Sequence, residues 1–337
     1  GESIRFGLGA VKGVGEGASQ AIVDARGRVG RFKSVSHVLR TVGERAINRK
    51  VVECLVRAGA FDSVHPDRGA VLASLDKLVD QAARQRQALE VGQGFLFALD
   101  DEEVEPSVAG SGGVSTEETL RGERETLGFY LSGHPLDRWA GVLKELRATP
   151  VSGLSELVAS GADRAVVGGL IAGLKARPIK EGRSQGRRMA SFTLEDQTGA
   201  VRVVAFPDAY ERYEKCLVDG MSVLVTATLR ASDAEHAELA LEEAMPLEGI
   251  EARKASALRV ELDLERFADK DALEQLHELF LRHEGRMQLR LRLVGGAWQA
   301  EVVPNRILGV DPTTLVPALT ALLGPGRVEY VFSSNGA

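Results

Sequence analysis

The chain has 337 residues, of which 44% are hydrophobic and 27% charged, and its net charge is −6. That length predicts two or three domains, and the composition is typical of a soluble globular protein. No apolar run reaches the length of a membrane span, which excludes a membrane-spanning chain and a membrane partner. The two cysteines, Cys54 and Cys216, have no CxxC or histidine neighbours, which predicts buried free thiols, no zinc site and a reducing compartment.

A glycine-rich hairpin between two helices is predicted near the start of the chain, in LGAVKGVGEGASQAIVDAR at 8–26. Gly13 and Gly15 can take a positive φ, and they leave no side chain between the backbone and an approaching phosphate. A helix that starts near Glu16 or Gly17 would point its free N–H groups at that phosphate. The pattern indicates a helix-hairpin-helix that binds a duplex backbone without reading bases. The residues predicted to bind are Lys12, Gly13, Val14, Gly15, Glu16, Gly17 and Ala18.

The alternative for this hairpin is an ordinary corner between two helices with a glycine turn. The charge of the neighbourhood favours DNA, because residues 1–60 contain eleven Lys or Arg and five Asp or Glu in a chain that is acidic as a whole. Positive charge is therefore concentrated where the phosphate would lie.

Further helices are predicted at 34–42, 49–58 and 70–88, and the helical domain is predicted to span 1–97. It ends in Gln93-Gly94-Phe95-Leu96-Phe97. In such a short linear motif a glutamine amide can hydrogen-bond backbone groups in a shallow site, while an aliphatic–aromatic pair fills an adjacent apolar pocket. Gln93, Leu96 and Phe97 are therefore predicted to bind a partner protein. The alternative is a last helical turn packed on the helical domain. An acidic, Gly/Ser-rich linker at 98–118 and a helical connector at 119–160 are predicted to follow.

The hydrophobic period changes to two from residue 164, and five strands are predicted with a helix between the third and the fourth. That order is typical of an OB-fold barrel, here at 161–250. The loop after the first strand is basic, and it is predicted to bind single-stranded nucleic acid, with two phenylalanines as stacking platforms. The predicted residues are Lys175, Arg177, Lys180, Arg183, Arg187, Arg188, Phe192 and Phe206. The alternatives are a solvated loop and a core position for at least one phenylalanine.

Residues 255–337 predict a strand, a helix, two strands, a helix and a strand, which form a small α/β domain. The histidines of the chain do not form a predicted catalytic or metal-binding site. His134 is accompanied by no Ser or Cys nucleophile motif and no acid partner, and His277 and His283 lack the spacing of a metal pair. No catalytic residue, metal or cofactor is predicted for this chain.

Several motifs occur in one order: KGVGEGA, AINRKVVECLVRAGAFDSV, the Gln-x-x-Leu-Phe segment, ETLGFYLSGHPLDRW and ASFTLEDQTGAVRVVAFPDAYERY. Together they resemble the C-terminal third of the alpha subunits of bacterial DNA polymerase III, the C family of replicative polymerases. The resemblance covers essentially the whole chain and is weakest beyond residue 255. It implies duplex binding at the hairpin, binding of the sliding clamp (beta) at Gln93, Leu96 and Phe97, single-stranded template at the barrel, and the clamp-loader subunit tau at the last domain.

The resemblance also implies that the chain lacks the palm with its metal-binding aspartates, so polymerisation and its magnesium would belong to other parts of the parent enzyme. The expected function is retention of a replicative polymerase on DNA, in the cytoplasm at the nucleoid. The alternatives are the same region of an error-prone paralogue, a free-standing nucleic-acid-binding adaptor, and an assembly module whose basic loop meets an acidic protein.

Overall fold

The computed structural model describes residues 6–43, 46–90, 113–233, 236–265, 270–307 and 309–332. The chain divides into two compact units, Gly1–Pro135 and Leu136–Ala337. The predicted clamp-binding residues Gln93, Leu96 and Phe97, and most of the predicted acidic linker, lie outside the described residues. In the described part of the chain, no helix is long and apolar enough to cross a membrane.

The first unit is helical. Its helices are α1 (Glu16–Val29), α2 (Val35–Val42), α3 (Arg49–Arg57), α4 (Arg68–Glu90) and α5 (Thr116–Leu127). A single 3-10 turn, Leu8–Ala10, stands where the sequence predicted a helix before the hairpin. The core is aliphatic, as expected from the few aromatic residues, and its most deeply buried members include Val35, Val52, Leu55, Val56, Val71 and Leu75.

Side-chain caps set the start of four of these helices, among them α4, where Asp67 accepts from the N–H of Ala70 at 2.9 Å. Ser34, Asn48 and Ser115 each accept a hydrogen bond from the backbone N–H three residues later, which satisfies a donor that the helix itself leaves free. The cap at Ser115 starts α5 at Thr116, ahead of the start predicted at residue 119.

The second unit begins with α6 (Ala140–Glu145) and α7 (Leu154–Ala159), followed by a closed barrel. The elements of the barrel are β1 (Arg164–Pro178), β2 (Arg188–Glu195), β3 (Ala200–Ala205), α8 (Pro207–Tyr213), β4 (Ser222–Asp233) and β5 (His236–Pro246). The strand order is β1-β2-β3-β5-β4, with β3 and β5 parallel. The helix lies between the third and the fourth strand, so the predicted OB-fold is confirmed.

A bulge in β1 decides which of its side chains face outward. The register with β2 shifts between Ala172 and Lys175, and Gly173 has a φ of +63°, a conformation that favours glycine. Beyond the bulge Leu174 packs against the barrel core, and its neighbour Lys175 is exposed. The bulge therefore directs the basic side chains of β1 away from the core.

The rest of the second unit is a small α/β domain, as predicted. Its elements are α9 (Ile250–Lys254), β6 (Ala257–Asp263), α10 (Lys270–Arg282), β7 (Glu284–Gly295), β8 (Trp298–Val302), α11 (Pro312–Leu323) and β9 (Val328–Val331). The sheet order is β8-β7-β6-β9, in which β6 and β7 are parallel. Side chains of β6, β7, α10 and α11 form one core cluster, which includes Leu258, Leu276, Phe280, Leu289, Leu315 and Leu319.

Candidate nucleic-acid interface

The hairpin before α1 is held by backbone hydrogen bonds and by one close contact. The N–H of Val14 donates to the carbonyl of Val11 at 3.0 Å, and the N–H of Lys12 donates to Thr126 of α5 at 2.8 Å. Gly13 has a φ of +90°, and a Cβ added there would lie 2.7 Å from Sγ of Cys54. Both the backbone conformation and the lack of space therefore require glycine at this position.

The first turn of α1 is open to solvent. Gly15 is its N-cap residue, with a φ of −74°, so it does not use the positive φ that the sequence suggested. A Cβ added at Gly15 or Gly17 would meet no atom within 4 Å. The N–H groups of Glu16 and Gly17 have no acceptor within the helix, and none is found among the described residues. A phosphate could approach these amides without a steric barrier, although the exposed carboxylate of Glu16 would repel it.

The seven predicted hairpin residues therefore separate into two groups. Five are exposed: Lys12, Gly13, Gly15, Glu16 and Gly17. Val14 and Ala18 are buried in the core of the unit. Because the N–H of Val14 is also used within the turn, Val14 offers neither its side chain nor its amide to a ligand, and its predicted role in binding is wrong.

A buried ion pair beneath the hairpin was not predicted. Glu123 of α5 is fully buried and accepts hydrogen bonds from Nη1 of Arg68 at 2.9 Å and from the N–H groups of Leu131 at 2.7 Å and Ser132 at 3.0 Å. Arg68 also donates to both carboxylate oxygens of Asp62, at 2.8 and 2.6 Å. The network joins the start of α4 to α5, the helix that holds the hairpin.

The basic loop of the barrel continues the β1–β2 hairpin. The N–H of Ile179 donates to the carbonyl of Arg187 at 2.8 Å, and the N–H of Gly186 donates back to Ile179 at 3.0 Å. These two bonds close the base of the loop, so Lys180 and Arg183 are carried at its exposed tip.

Two of the six predicted cations are already engaged by carboxylates. Arg187 donates to Asp208 at 2.7 Å and to Glu211 at 2.8 Å, and Arg188 lies 3.9 Å from Glu214. Hydrogen bonds to Glu211 and Asp208 raise the pKa of Arg187 above its ordinary value, and Arg187 holds the pKa of Glu211 below its usual range. The carboxylates recur at every third residue along α8 and its continuation, and so form one acidic row.

The other four cations have no such partner. In the part of the chain that the structure describes, no carboxylate pairs with the side chains of Lys175, Arg177, Lys180 or Arg183. All four are exposed. Lys175 and Arg177 lie at the end of β1, although the sequence predicted them in the loop, and Lys180 and Arg183 lie in the loop itself. Together they present four positive charges whose counter-charge has to come from outside these residues.

The two phenylalanines predicted to stack on bases differ in burial. Phe192 is only 3% exposed and belongs to the barrel core, so its predicted role as a platform is wrong, because β2 turns this side chain inward. Phe206, before α8, is 39% exposed, and the guanidinium carbon of Arg230 lies 4.8 Å from the centroid of its ring. Arg230 was missed, although its place near the end of the fourth strand, beside a loop that binds oligonucleotides in OB-folds, could have indicated it.

The thiols do not form a metal centre. Cys54 and Cys216 are free, and each is only partly buried, where full burial was predicted. Within the described ranges, no group of three or more His, Cys, Asp or Glu side chains could hold a metal ion.

Two family models match the chain at the places described above. One, a helix-hairpin-helix motif, matches residues 1–71, and the other, an OB-fold nucleic acid binding domain, matches residues 166–247. DNA polymerase III subunit alpha of Thermus aquaticus is 37% identical over 340 residues, which cover 100% of this chain and 27% of that protein. The chain belongs to the family of DNA polymerase III alpha subunits. The counterpart from Vibrio cholerae is 31% identical over 98% of this chain, and that from Escherichia coli is 29% identical over 98%.

This alpha-family chain spans about a quarter of the length of those relatives, 27% or 28% in these three alignments, and fits their C-terminal region. The predicted resemblance is thereby confirmed. A solved structure of the mitochondrial single-stranded DNA-binding protein Rim1 from S. cerevisiae also aligns with 25% of this chain and 92% of its own, at 12% identity and a TM-score of 0.21.

Proposed function

We propose that this chain is a non-catalytic, DNA-holding portion of a bacterial replicative polymerase. In this proposal the hairpin binds the backbone of duplex DNA and the barrel binds single-stranded template. The observation that carries it is the group of four exposed cations, Lys175, Arg177, Lys180 and Arg183, without carboxylate partners among the described residues, on the OB-fold of an alpha-family chain. Polymerisation and its magnesium belong, in this proposal, to the parts of the relatives that the chain does not match.

Duplex binding is supported by the open first turn of α1. The free N–H groups and the positive end of the helix dipole attract a phosphate. Gly15 and Gly17 leave room for it, and the exposed Lys12 supplies a cation in the same hairpin. Contacts of this kind do not depend on base sequence, as a replicative polymerase requires.

Gly17→Ala should weaken duplex binding about tenfold without destabilising the protein, because the methyl group would obstruct a hydrogen bond to phosphate worth about 1.5–3 kcal/mol. The helix should tolerate the change, since alanine favours a helix by up to about 1 kcal/mol over glycine and the site is open. A fluorescence-polarisation titration with a labelled duplex measures the affinity, and urea unfolding measures the stability.

The comparison variant is Gly13→Ala, which should lower stability as well as affinity, because its Cβ would collide with Cys54. If Gly17→Ala binds duplex as tightly as the unchanged protein, the hairpin is an ordinary corner between helices and this part of the proposal is wrong.

Single-strand binding is supported by the Phe206–Arg230 pair as well as by the four cations. Phe206→Ala should weaken binding to an oligo-dT strand by about 1–3 kcal/mol, the contribution of one base stacked on an aromatic ring. Phe129→Ala is the matched control, because Phe129 is equally exposed at 39% but lies in the helical unit. Equal loss in both variants would contradict a stacking platform on the barrel.

We further propose two attachments to proteins. Gln93, Leu96 and Phe97 have the form of a peptide that docks on the sliding clamp (beta), and the α/β domain at the end of the chain would bind the clamp-loader subunit tau. Tethering makes each rebinding event effectively intramolecular, so several modest affinities can give a long residence on DNA. The proposed location is accordingly the cytoplasm, at the nucleoid.

The triple variant Gln93→Ala, Leu96→Ala, Phe97→Ala should lose capture by the immobilised sliding clamp while it keeps its affinity for duplex DNA. The reason is that a short motif places most of its binding energy in a few side chains. Equal capture of the variant and the unchanged chain would remove the clamp from the proposal.

A further inference from the structure

The cations near the start of the chain gather at the end of α1 that lies away from the hairpin. Of the eleven Lys or Arg in residues 1–60, only Lys12 belongs to the predicted hairpin. Four others follow within eight residues, at the C-terminal end of α1 and in the turn after it, and we call them the α1-end cluster: Arg26, Arg28, Arg31 and Lys33. Residues 26–43 contain no Asp or Glu, although the whole chain has 48.

All four side chains of the α1-end cluster are exposed, and none of them has a carboxylate partner in the part of the chain that the structure describes. The negative end of the helix dipole accounts for Arg26 and Arg28, which lie in the last turn of α1. It does not account for Arg31 and Lys33, because they follow the helix and the dipole effect is confined to the terminal turn. Four like charges in so short a segment repel one another, so we expect an anionic ligand to supply the counter-charge.

The turn that carries part of the cluster is held in place by the helical core. Gly30 ends α1 with a φ of +79°, and its N–H donates to a carbonyl in the last turn of the helix at 2.8 Å. Phe32 packs against the core, and the N–H of Lys33 donates to Nδ1 of His37 at 3.2 Å. The exposed side chains of Arg31 and Lys33 flank this fixed phenylalanine. The cations therefore stand on an ordered backbone, which lowers the entropy cost of binding a ligand.

An exposed flank of α1 joins the hairpin to the cluster. Its members recur at every third or fourth position and so form one stripe: Gly17, Gln20, Asp24 and Gly27. A Cβ added at Gly17 or Gly27 would meet no atom within 4 Å, so a polymer backbone can approach α1 closely at both ends of the stripe. The carboxylate of Asp24 accepts a hydrogen bond from the amide of Gln20 at 2.8 Å. With Glu16 beside its first residue, the flank carries two negative charges against the four positive charges of the cluster.

The separation of the two ends of α1 suits a duplex. From Glu16 to Arg28 the helix rises about 18 Å, at 1.5 Å per residue, and the same length of B-DNA holds about five base pairs. A duplex that lies along the flank therefore presents phosphates to the first turn of α1 and to the cluster at once. Three of the four cations are arginines, whose planar guanidinium binds phosphate oxygens in pairs. An acidic protein would pair with the cluster alone, whereas a chain of regularly spaced phosphates also uses the open amides of the hairpin.

We propose that the α1-end cluster is a second phosphate-binding site for duplex DNA, about five base pairs from the phosphate at the hairpin. The inference rests on the proposed duplex binding at the hairpin and extends it from one point to a line of contact along α1. Two separated points fix the direction of the duplex relative to α1, which a single phosphate at the hairpin does not. Because the contacts are to the DNA backbone, they do not depend on base sequence.

The double variant Arg31→Gln, Lys33→Gln tests the site without a change in α1, because both residues follow the helix. Each phosphate contact on B-DNA contributes about 0.9 to the slope of log K against log salt, so the slope should fall by about 1.8 and the affinity at 200 mM salt by about tenfold. The matched control is Lys77→Gln, Arg84→Gln, which removes the same charge from exposed positions of α4. Titration of a labelled duplex with the full chain at four salt concentrations measures both quantities.

Hydroxyl-radical footprinting of the same duplex locates the contact. Neutralisation of the whole cluster to glutamine should shorten the protected stretch by about five base pairs. An unchanged slope in the double variant, an equal fall in its control, or a footprint of unchanged length would each overturn the second site and leave the hairpin proposal standing. If the unchanged chain does not bind the duplex at all, both proposals are wrong. Loss of poly-glutamate binding in the double variant, with the duplex slope unchanged, would assign the cluster to an acidic protein instead.

Discussion

Replacement of Glu123 by alanine is expected to destabilise the helical unit by about 3–5 kcal/mol, the cost of breaking a buried ion pair by removing one partner. The lower end of that range is expected, because Arg68 keeps its pair with Asp62. Glu123 is fully buried, and the side chain of Arg68 is only 11% exposed, so water cannot take the place of the lost carboxylate. The variant would also leave the amides of Leu131 and Ser132 without their acceptor. The effect is large because one carboxylate satisfies three donors.

Urea unfolding followed by far-UV circular dichroism measures the loss. With an m-value of about 2 kcal/mol/M, the midpoint of the helical unit should fall by about 1.5–2.5 M. Trp139 lies in the other unit, so the transition seen by its fluorescence should stay where it is. Glu125→Ala is the matched control on the same helix, because Glu125 is exposed. A midpoint shift for Glu125→Ala as large as that for Glu123→Ala would refute the role of the network.

The same ion pair gives a pH signature. Burial tends to raise the pKa of Glu123, but hydrogen bonds from the N–H groups of Ser132 and Leu131 and from Arg68 outweigh it, so the pKa lies below its ordinary value of 4.5. The stabilisation is therefore complete above that value and is lost as the pH falls through the lower pKa of the folded state. The difference in midpoint between the unchanged protein and Glu123→Gln should shrink as the pH is lowered from 6 to 3. A difference that is constant with pH would contradict the assignment.

The elements that the sequence located well are those with local signals. The second helix predicted within residues 255–337 is α11, whose bounds follow from local signals, because Asp311 caps it, proline begins it and Gly324 ends it. The strands of the barrel were predicted from the alternation of apolar and polar residues. Their order, with one helix between the third and the fourth strand, indicated the OB-fold. The glycine hairpin likewise predicted a helix start near Glu16 or Gly17, and α1 begins at Glu16.

The features that the sequence could not give depend on contacts between distant residues. Nothing in TEETLRGERETL distinguishes the buried Glu123 from the exposed Glu117 and Glu118, because its partner Arg68 is 55 residues away in the chain. The core position of Phe192 depends on the face that β2 turns to the barrel interior. Likewise, Arg187 looked like one more free cation until the fold placed α8 beside it.

The four unpaired cations are expected to carry most of the salt dependence of single-strand binding. Each phosphate contact on a single strand contributes about 0.7 to the slope of log K against log salt. The quadruple variant Lys175→Gln, Arg177→Gln, Lys180→Gln, Arg183→Gln should therefore reduce that slope by about 2.8 and weaken binding about a hundredfold at 200 mM salt. Titration of labelled oligo-dT at four salt concentrations measures both quantities. An unchanged slope would remove the barrel loop from the proposed DNA contacts.

Removal of carboxylates from the acidic row beside the loop should strengthen single-strand binding, the opposite of the effect of removing cations. Arg187 is held by Asp208 and Glu211, so its charge is already balanced and few counterions are released when a phosphate comes near. Arg187→Gln should consequently change the slope of log K against log salt by less than about 0.7. The double variant Asp208→Asn, Glu211→Gln should free the guanidinium of Arg187. It should therefore raise that slope by up to about 0.7 and tighten binding about threefold at 200 mM salt. Each of these pairs is solvent-exposed and individually weak, so its removal should leave the fold intact. A loss of affinity in the double variant would mean that the acidic row supports the DNA-binding form of the loop and does not compete with DNA for Arg187.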